Sequence, residues 1–353
     1  TILRELISGK LDPAILETSE FKQVIDSCIN CKRCFTECPS SVDVPWLAIK
    51  GRADVIKRKG ADFSTRVLTS TASLCKQGSM FAPVANVATS LSPIRWALDK
   101  AIGMEPERKL PSFKSKNLRK ALKGRNSSSV NSREVVFFLG CFANYNEPEG
   151  EGMPVIDVLE HNGINVIMPE FKCCGIARIS AGGHESIRGD INYNIDLLSK
   201  YTERGSPVSF SEPSCALAVK IEYPMIVGTE KAKQVADNCY DIHKYLSSLH
   251  SQGDLNTDFG RMDITVGYHS PCHIKPLGVT SEPVQLMELI PGVTVVRYSD
   301  KCCGMGGTYG LKSKNYDLSM KIGRRLFDEI GASRIDRIAT SCGACGMQIK
   351  QGI

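Results

Sequence analysis

The sequence predicts an α/β protein in which a helical N-terminal unit precedes two copies of one α/β unit. Residues 1–104 are mostly helix-like. From residue 134, short β-branched or aromatic segments alternate with longer amphipathic segments, which is typical of α/β architecture. Four cysteines of the first half of this region recur 129 to 131 residues later, which indicates an internal duplication.

The composition favours a folded protein with metal or redox chemistry. Its 353 residues, 42% of them hydrophobic, can bury a sizeable core, and their number predicts two or three domains. No run of eighteen apolar residues occurs, and "TILRELISGK" lacks the features of a signal peptide, so we expect a soluble chain without a membrane span. Fifteen cysteines without an export signal favour metal or redox sites, because cytosolic reductants keep thiols free.

The N-terminal unit, residues 1–104, is predicted to be helical. The segment "ILRELISGKLDPAILETSEFKQVID" has helical apolar spacing, a break at Gly-Lys-Leu-Asp-Pro and a second helix from about Pro13. Residues 44–104 are also helix-like, and their last part, "MFAPVANVATSLSPIRWALDKAIGM", is not hydrophobic enough to insert into a membrane.

A cysteine motif lies inside this unit. "CINCKRCFTECP" has the C-x2-C-x2-C-x3-C-P spacing by which bacterial-type ferredoxin loops bind [4Fe-4S] cubes. We expect Cys28, Cys31 and Cys34 to ligate one cube and Cys38 to ligate another, because the longer gap carries the fourth sulfur away. Zinc is disfavoured, since zinc sites usually pair two CxxC units.

This assignment leaves both cubes short of ligands. Cys38 needs three partners and the other three cysteines need a fourth, but the sequence contains no second quartet of this kind. We therefore expect a helical [4Fe-4S] ferredoxin domain that is incomplete at its N-terminus, with its first quartet before Thr1. The alternative is a single cube completed by Cys38.

We expect the basic residues 105–133 to form a linker. "RKLPSFKSKNLRKALKGR" holds eight basic and no acidic side chains, "NSSSVNS" after it is linker-like, and residues 1–130 carry a net charge of +10. The segment is interpreted first as solvated, and second as a docking site for anionic lipid or a partner. Nucleic acid is disfavoured, because Phe113 is the one aromatic side chain in this segment.

Each predicted strand of the α/β region ends at cysteines. The strands are "EVVFFLGC" at Cys141, "INVIMPEFKCC" at Cys173 and Cys174, "PVSFSEPSC" at Cys215, "DITVGYHSPC" at Cys272, "VTVVRYSDKCC" at Cys302 and Cys303, and "RIATSCGAC" at Cys342 and Cys345. Because ligands sit at the carboxyl ends of parallel strands, we expect each set to meet at one sheet edge. The predicted domains are residues 134–253 and, incomplete at the C-terminus, residues 254–353.

The two copies are unequal. Glu212 stands opposite Cys342, so the first copy has four cysteines and a carboxylate where the second has five cysteines. The adjacent thiols of "KCCGMGGTYG" can approach one metal centre only if the backbone bends, which its glycines permit. The segment lacks the glycine order of a nucleotide-binding loop. Cys75 and Cys239 stand alone and are interpreted as small buried or partly exposed hydrophobic side chains.

The repeated pattern resembles the cysteine-rich CCG domain. This domain is shared by a catalytic subunit of heterodisulfide reductase and by the iron–sulfur subunits of glycolate, lactate and anaerobic glycerol-3-phosphate dehydrogenases. "CINCKRC" with "CPSSVDVP", "FAPVANVATSLSPIR", "FFLGCFANYNEP", "YHSPCH" and "CCGMGGTYG" extend the resemblance over nearly the whole chain. They are most similar to the anaerobic glycerol-3-phosphate dehydrogenase group, and next to the C-terminal iron–sulfur half of fused FAD-linked oxidases.

The resemblance implies at least two [4Fe-4S] clusters, one of them noncubane. In the CCG-domain subunit of heterodisulfide reductase the five-cysteine motif holds a noncubane cluster, so by resemblance the same is expected of Cys272, Cys302, Cys303, Cys342 and Cys345. The first copy departs from the pattern at Glu212. This leaves Cys141, Cys173, Cys174 and Cys215 to bind an ordinary cube, a modified cluster, zinc, or nothing stable.

The implied function is electron relay. A partner flavoprotein oxidises glycerol 3-phosphate or a 2-hydroxy acid such as lactate or glycolate, and electrons pass through the clusters to menaquinone or another membrane acceptor. FAD is expected on that partner flavoprotein or on a missing upstream domain, since no flavin motif occurs here. The expected location is cytoplasmic, peripheral on the inner face of the cytoplasmic membrane, with no nucleic-acid partner.

Two alternatives and one pair of residues complete the prediction. The chain is alternatively a thiol–disulfide reductase subunit of the heterodisulfide reductase type, or a zinc-stabilised binding module. His269 and His273 flank Cys272 and are the candidate catalytic residues. They could tune a cluster or move quinone protons, and the competing interpretation makes them structural hydrogen-bonders.

Overall fold

The structure, a computed structural model, describes residues 2–125, 133–298 and 301–353. It contains a helical unit and two sheets in which every strand pair is parallel, so the predicted α/β class is confirmed. Within these three ranges, no helix combines the length and the apolar composition needed to cross a membrane.

The N-terminal unit is helical, as predicted. Its helices are α1 Ile2–Ile7, α2 Ser19–Asp26, α3 Arg33–Glu37, α4 Val44–Lys59, α5 Phe63–Leu68, α6 Thr71–Met80, α7 Ala82–Ser90 and α8 Ser92–Ile102. A 3-10 helix at Pro13–Glu17 occupies the start of the second predicted helix, and α2 follows it.

Side-chain caps fix where the helices around the first cysteine motif begin. The Thr18 hydroxyl accepts a hydrogen bond from the Phe21 backbone N–H at 3.2 Å, at the start of α2. The Asp43 carboxylate accepts from the Trp46 N–H at 2.9 Å, at the start of α4. Such caps stabilise a helix by about 1 kcal/mol each. The motif therefore lies on a short connection between two capped helices.

The basic segment after α8 is packed, so its interpretation as a solvated linker is wrong. Arg108 is fully buried, and its guanidinium donates to the Gln348 Oε1 atom at 2.5 Å. The segment ends in α9 Leu118–Ala121, where the Leu118 side chain is also fully buried. The "NSSSVNS" part of the predicted linker lies outside the described residues.

The first sheet has the strand order β2-β1-β3-β4. Its region comprises β1 Glu134–Phe137, α10 Cys141–Tyr145, a π-helix Pro148–Gly152, α11 Met153–His161, β2 Asn165–Ile167, α12 Ile176–Ser180, a 3-10 helix His184–Ile187, α13 Arg188–Thr202, β3 Val208–Phe210, α14 Pro213–Leu217, a π-helix Ala218–Glu222, α15 Tyr223–Val227, α16 Glu230–Asp237, β4 Cys239–Asp241 and α17 Ile242–Ser251.

The second sheet has the strand order β6-β5-β7. Its region comprises β5 Ile264–His269, a 3-10 helix Cys272–Leu277, α18 Glu282–Glu288, β6 Val293–Tyr298, a 3-10 helix Tyr309–Leu311, α19 Ser313–Ala332, β7 Arg337–Ala339 and α20 Gly343–Gly352. The central strand β5 corresponds to β1 of the first sheet, because each has the next strand of its copy on one side and the third on the other.

All six predicted strands are present, and β4 adds a seventh that the sequence did not predict. Its three residues are too few to show an alternating pattern. Cys239 opens this strand, is buried, and has its Sγ atom 3.2 Å from the Val235 carbonyl oxygen. Its interpretation as a buried hydrophobic side chain is confirmed.

The apolar cores reach the cysteines. Beside the first sheet, the Phe138 ring stacks on those of Phe171 and Phe210, with centroids 4.6 and 5.1 Å apart. Cys174 and Cys215 belong to the same core. The core beside the second sheet likewise contains three of its five cysteines. The thiols therefore lie where apolar packing limits the access of water.

Candidate metal centres

The first cysteine set lies at the carboxyl edge of the first sheet. Cys141 begins α10 just after β1, Cys173 and Cys174 follow β2, and Cys215 lies in α14 after β3. The Sγ atoms of Cys174 and Cys215 are 3.2 Å apart. The Gly175 N–H donates to the Cys173 sulfur at 3.5 Å, from a backbone with φ of +74°.

The second set repeats this geometry at the second sheet. Cys272 follows β5, Cys302 and Cys303 follow β6, and Cys342 and Cys345 follow β7. The Sγ atoms of Cys303 and Cys345 are 3.3 Å apart, and the N–H of the next glycine donates to the Cys302 sulfur, also at 3.3 Å. The equivalent contacts in the two copies confirm the predicted duplication.

Hydrogen bonds between thiols distribute the protons within each set. Those with Cys302 and Cys345 hold the pKa of Cys303 well below its usual value. Those with Cys141 and Cys174 do the same for the pKa of Cys173. All fifteen cysteines are free of disulfides. A metal that binds such thiols as thiolates displaces their protons.

The loop of the first motif gathers three thiols. Burial raises the pKa of the Cys34 thiol, and the nearby Cys31 and Cys28 raise it further. The loop has left-handed backbone at two residues other than glycine, Asn30 and Lys32, with φ of +54° and +58°. Such conformations are strained and need support from their surroundings.

Buried charges supply that support. The fully buried Lys32 ammonium lies 2.9 Å from an Asp43 carboxylate oxygen and 3.0 Å from a Glu222 carboxylate oxygen. The Arg52 guanidinium donates to the Cys28 carbonyl and, at 2.6 Å, to the Ser180 carbonyl. Because Glu222 and Ser180 belong to the first α/β copy, these contacts fasten the loop to it.

His273 joins the loop to both copies. Its Nε2–H donates to the Asn30 carbonyl oxygen at 2.9 Å, and its Nδ1 lies 3.0 Å from the Ser214 hydroxyl. Burial raises the pKa of Cys272, and charge on Cys31 adds to this increase after Cys342 and Cys303. The first cysteine motif and the second set are therefore neighbours in space.

The other predicted histidine is also held by two hydrogen bonds. His269 has Nδ1 3.3 Å from the Thr340 hydroxyl and Nε2 3.1 Å from the Lys301 carbonyl oxygen. Burial lowers the pKa of His269 and of His273, which favours neutral rings. In both residues each ring nitrogen has a protein partner, so the structure supports their interpretation as structural hydrogen-bonders.

Glu212 lies between the two sets. Its carboxylate accepts from the Gly343 N–H at 2.7 Å, directly after Cys342 of the second set. Burial raises its pKa well above the usual value, and charge on Cys342 and Glu151 adds to the shift. Burial also raises the pKa of Glu151 to about 7. The sequence placed Glu212 in the first set alone, because sequence spacing does not reveal contact with the other copy.

Cys75 does not stand alone, and its interpretation as an isolated side chain is wrong. Helix α6 places its thiol in hydrogen-bonding contact with Cys141, which lowers the pKa of Cys75. Its sulfur also lies 3.4 Å from the Asn146 Oδ1 atom. No spacing motif marks Cys75, since it comes from another part of the chain.

The thiols suit a cluster better than a single ion. Throughout the described ranges, no three His, Cys, Asp or Glu side chains surround a position that could hold one metal ion. This arrangement does not support the zinc alternative. Several free, mostly buried thiols at one sheet edge instead offer soft sulfur ligands, which favour iron–sulfur clusters. The donor sets therefore fit that group.

Comparison with known proteins agrees with this chemistry. The family described as "CCG: Cysteine-rich domain" matches residues 135–220 and 266–350. The chain is 32% identical to a subunit of the anaerobic glycerol-3-phosphate dehydrogenase of Escherichia coli K12, over 84% of this chain and 77% of that protein. The chain belongs to the CCG family of iron–sulfur oxidoreductase subunits.

Other CCG-family relatives have different named roles. One subunit of the dihydromethanophenazine:CoB–CoM heterodisulfide reductase of Methanosarcina barkeri is 25% identical, over 99% of this chain and 78% of its own length. Lactate utilization protein A of Shouchella clausii is 28% identical, over 61% of this chain and 89% of its own length. The predicted family and its duplicated CCG domain are confirmed.

Proposed function

We propose that this CCG protein relays electrons from a partner flavin dehydrogenase to menaquinone or another membrane acceptor. The named roles of the relatives favour glycerol 3-phosphate as the donor substrate, followed by a 2-hydroxy acid such as lactate or glycolate. The described ranges are devoted to cysteine sites. FAD is therefore assigned to a partner flavoprotein or to an upstream domain.

Three groups of cysteines are proposed to hold clusters. The helical unit is a [4Fe-4S] ferredoxin domain with ligands Cys28, Cys31, Cys34 and Cys38. The second CCG set binds a noncubane [4Fe-4S] cluster through Cys272, Cys302, Cys303, Cys342 and Cys345. The first set, Cys141, Cys173, Cys174 and Cys215, binds a further cluster. Such clusters supply one-electron transfer over a range of potentials that the protein sets.

The observation that carries this proposal is the junction at His273. The hydrogen bond from His273 to the Asn30 carbonyl holds the first motif against the 3-10 helix that begins at Cys272. Cys31 and Cys272 are close enough for their charges to interact. A ferredoxin domain without an electron-transfer role would not need its ligand loop beside the second cysteine set.

An exposed apolar face supports the membrane part of the proposal. It is formed by six side chains at the C-terminal end of α6 and along α7 and α8, namely Met80, Phe81, Val84, Val87, Leu91 and Trp96. Exposed patches of large apolar side chains mark interaction surfaces. Residues 1–130 carry a net charge of +10, which favours anionic lipid as the occupant. We propose peripheral docking on the cytoplasmic face of the membrane.

One observation favours a second candidate function. Thiol–disulfide reduction of the heterodisulfide reductase type was disfavoured because the first set lacks a fifth cysteine in its own sequence. The contact between Cys75 and Cys141 brings a fifth thiol to that set. Reduction of a substrate disulfide therefore remains the alternative activity.

Anaerobic preparation of the protein with iron and sulfide, followed by iron analysis and electron paramagnetic resonance, tests the cluster assignment. The reduced holoprotein is then mixed with a menaquinone analogue in one arm and with the CoB–CoM disulfide in the other. Oxidation by the quinone alone supports the proposal, and oxidation by the disulfide alone supports the alternative. A colourless protein without iron would contradict both.

A further inference from the structure

The first CCG set continues beyond its own four cysteines. Hydrogen-bonding contacts run from Cys75 to Cys141, from Cys141 to Cys173, and from Cys173 to Cys174. The Cys174 sulfur then lies 3.2 Å from that of Cys215. Five thiols thus form one continuous group, and the first of them belongs to the helical unit.

A second side chain of the same helix faces this group. Thr71 lies one turn before Cys75, and residues four apart share a face of an α-helix. The Thr71 hydroxyl hydrogen-bonds to the Cys173 thiol. Helix α6 therefore presents a polar edge to the first set, and the position of Cys75 is part of that edge.

The helix is anchored at both ends. Near its start, the Arg178 guanidinium reaches from the CCG loop of the first copy to the Ser70 hydroxyl at 2.8 Å. Near its end, the Ser79 hydroxyl donates to the Lys114 carbonyl at 2.6 Å. The Lys114 N–H in turn donates to the Tyr145 carbonyl at 2.8 Å, on the helix that Cys141 begins. These contacts fix α6 relative to the cysteines.

The fifth thiol has a counterpart in the other copy. The second set has five cysteines, but in the first copy Glu212 stands in the place of Cys342. The Glu212 carboxylate is bonded to the Gly343 N–H at 2.7 Å, so it is engaged with the second set. The first set is therefore one thiol short within its own repeat, and Cys75 is in contact with it.

We propose that Cys75 is the fifth thiolate ligand of the first CCG site, supplied from the helical unit. This inference rests on the proposed function, because it assumes that the first set holds an iron–sulfur cluster. Ligation converts the Cys75 thiol to a thiolate and releases its proton to solvent, with no change in oxidation state. The first site is then assembled from two domains, and it forms only when both are folded together.

The test compares Cys75→Ser with wild-type protein, each prepared anaerobically with iron and sulfide. We expect Cys75→Ser to lose or alter one set of electron paramagnetic resonance and Mössbauer signals and to bind up to about four fewer iron atoms. The signals of the other clusters should remain. Cys239→Ser is the matched control, since its hydroxyl can still donate to the Val235 carbonyl beside the buried thiol. It should keep every signal.

Alkylation of the wild-type holoprotein provides a readout without substitution. Iodoacetamide and mass spectrometry should show Cys75 protected in the holoprotein and modified after a chelator removes the iron. Equal modification in both states, or a Cys75–Cys141 disulfide in the holoprotein, would overturn the inference.

The two proposals fail in different ways. Clusters in wild-type protein with unchanged signals in Cys75→Ser would overturn the role of Cys75 and leave the electron-relay function standing. Wild-type protein that binds no iron under these conditions would overturn both.

Discussion

Gly304 controls the conformation of the adjacent cysteines in the second set. Its φ is +88°, and a Cβ atom at this position would lie 2.1 Å from the Ser319 carbonyl oxygen. A side chain is therefore excluded by contact with backbone as well as by the left-handed conformation. The bend that follows Cys303 depends on glycine.

We expect Gly304→Ala to destabilise the protein by roughly 3 kcal/mol or more, because both the clash and the backbone strain must be relieved. The control is Gly307→Ala, which has φ of +59° but no atom within 4 Å of the new Cβ. It should cost about 1 kcal/mol. Urea unfolding measures both variants, and equal losses would show that the Ser319 contact is unimportant.

A buried acid should make stability depend on pH. Burial raises the pKa of Glu151 to about 7 from 4.5, so the folded state binds a proton that the unfolded state has released. This group's contribution is intact below pH 4.5 and is lost as the pH rises to 7. Glu151→Gln should therefore gain up to about 3 kcal/mol at pH 8 and little at pH 4.5.

Urea unfolding across this pH range measures the effect. Gln can still accept the hydrogen bond that the Ser211 hydroxyl donates to Glu151 at 2.6 Å. Glu149→Gln in the same turn is the control, because the Glu149 side chain is 87% exposed. If both variants kept the wild-type pH profile, Glu151 would not be the titrating group.

At the scale of elements, the connection between α2 and α4 depends on one buried ammonium. Lys32→Met should destabilise the protein by about 3 to 5 kcal/mol, because it leaves the buried Glu222 carboxylate without its partner. Lys22→Met is the control, since Lys22 is half-exposed and its pair with Asp26 contributes less than about 1 kcal/mol. Similar unfolding midpoints for the two variants would contradict this account.

The elements also show what the sequence could and could not predict. The duplication and six strands followed from cysteine spacing and β-branched segments, because both are local patterns in the chain. The three-residue β4 has no such pattern. Cys75 joins the first set through helix packing, and Arg108 is buried through contacts with residues more than 200 positions away. Long-range contacts of this kind leave no periodic signal in a single sequence.

At the scale of the whole molecule, three parts meet at one point. His273 of the second copy bonds to Asn30 of the helical unit and lies 3.0 Å from the Ser214 hydroxyl of the first copy. The helical unit also carries the exposed apolar face along α7 and α8. The molecule thus combines a junction between cysteine sites with a surface suited to lipid.

We expect the apolar face to direct binding to anionic vesicles. Val84→Asp should weaken binding to phosphatidylglycerol vesicles roughly tenfold, because a buried valine contributes about 1.5 to 3 kcal/mol. Leu318→Asp on α19 is the control, since Leu318 is 52% exposed but lies outside that face. Vesicle flotation measures binding. Equal binding by Val84→Asp and wild-type protein would contradict lipid docking there.

The central claim is that electrons pass from the first motif to the second CCG set. Its most direct test is rapid-freeze electron paramagnetic resonance of reduced holoprotein after mixing with a menaquinone analogue, in wild-type protein and in Cys303→Ser. In wild-type protein we predict that the signal of the Cys28, Cys31 and Cys34 site decays together with that of the second set. In Cys303→Ser the first of these signals should persist roughly tenfold longer or more, because the exit site is lost. Decay at the wild-type rate in Cys303→Ser would contradict the relay.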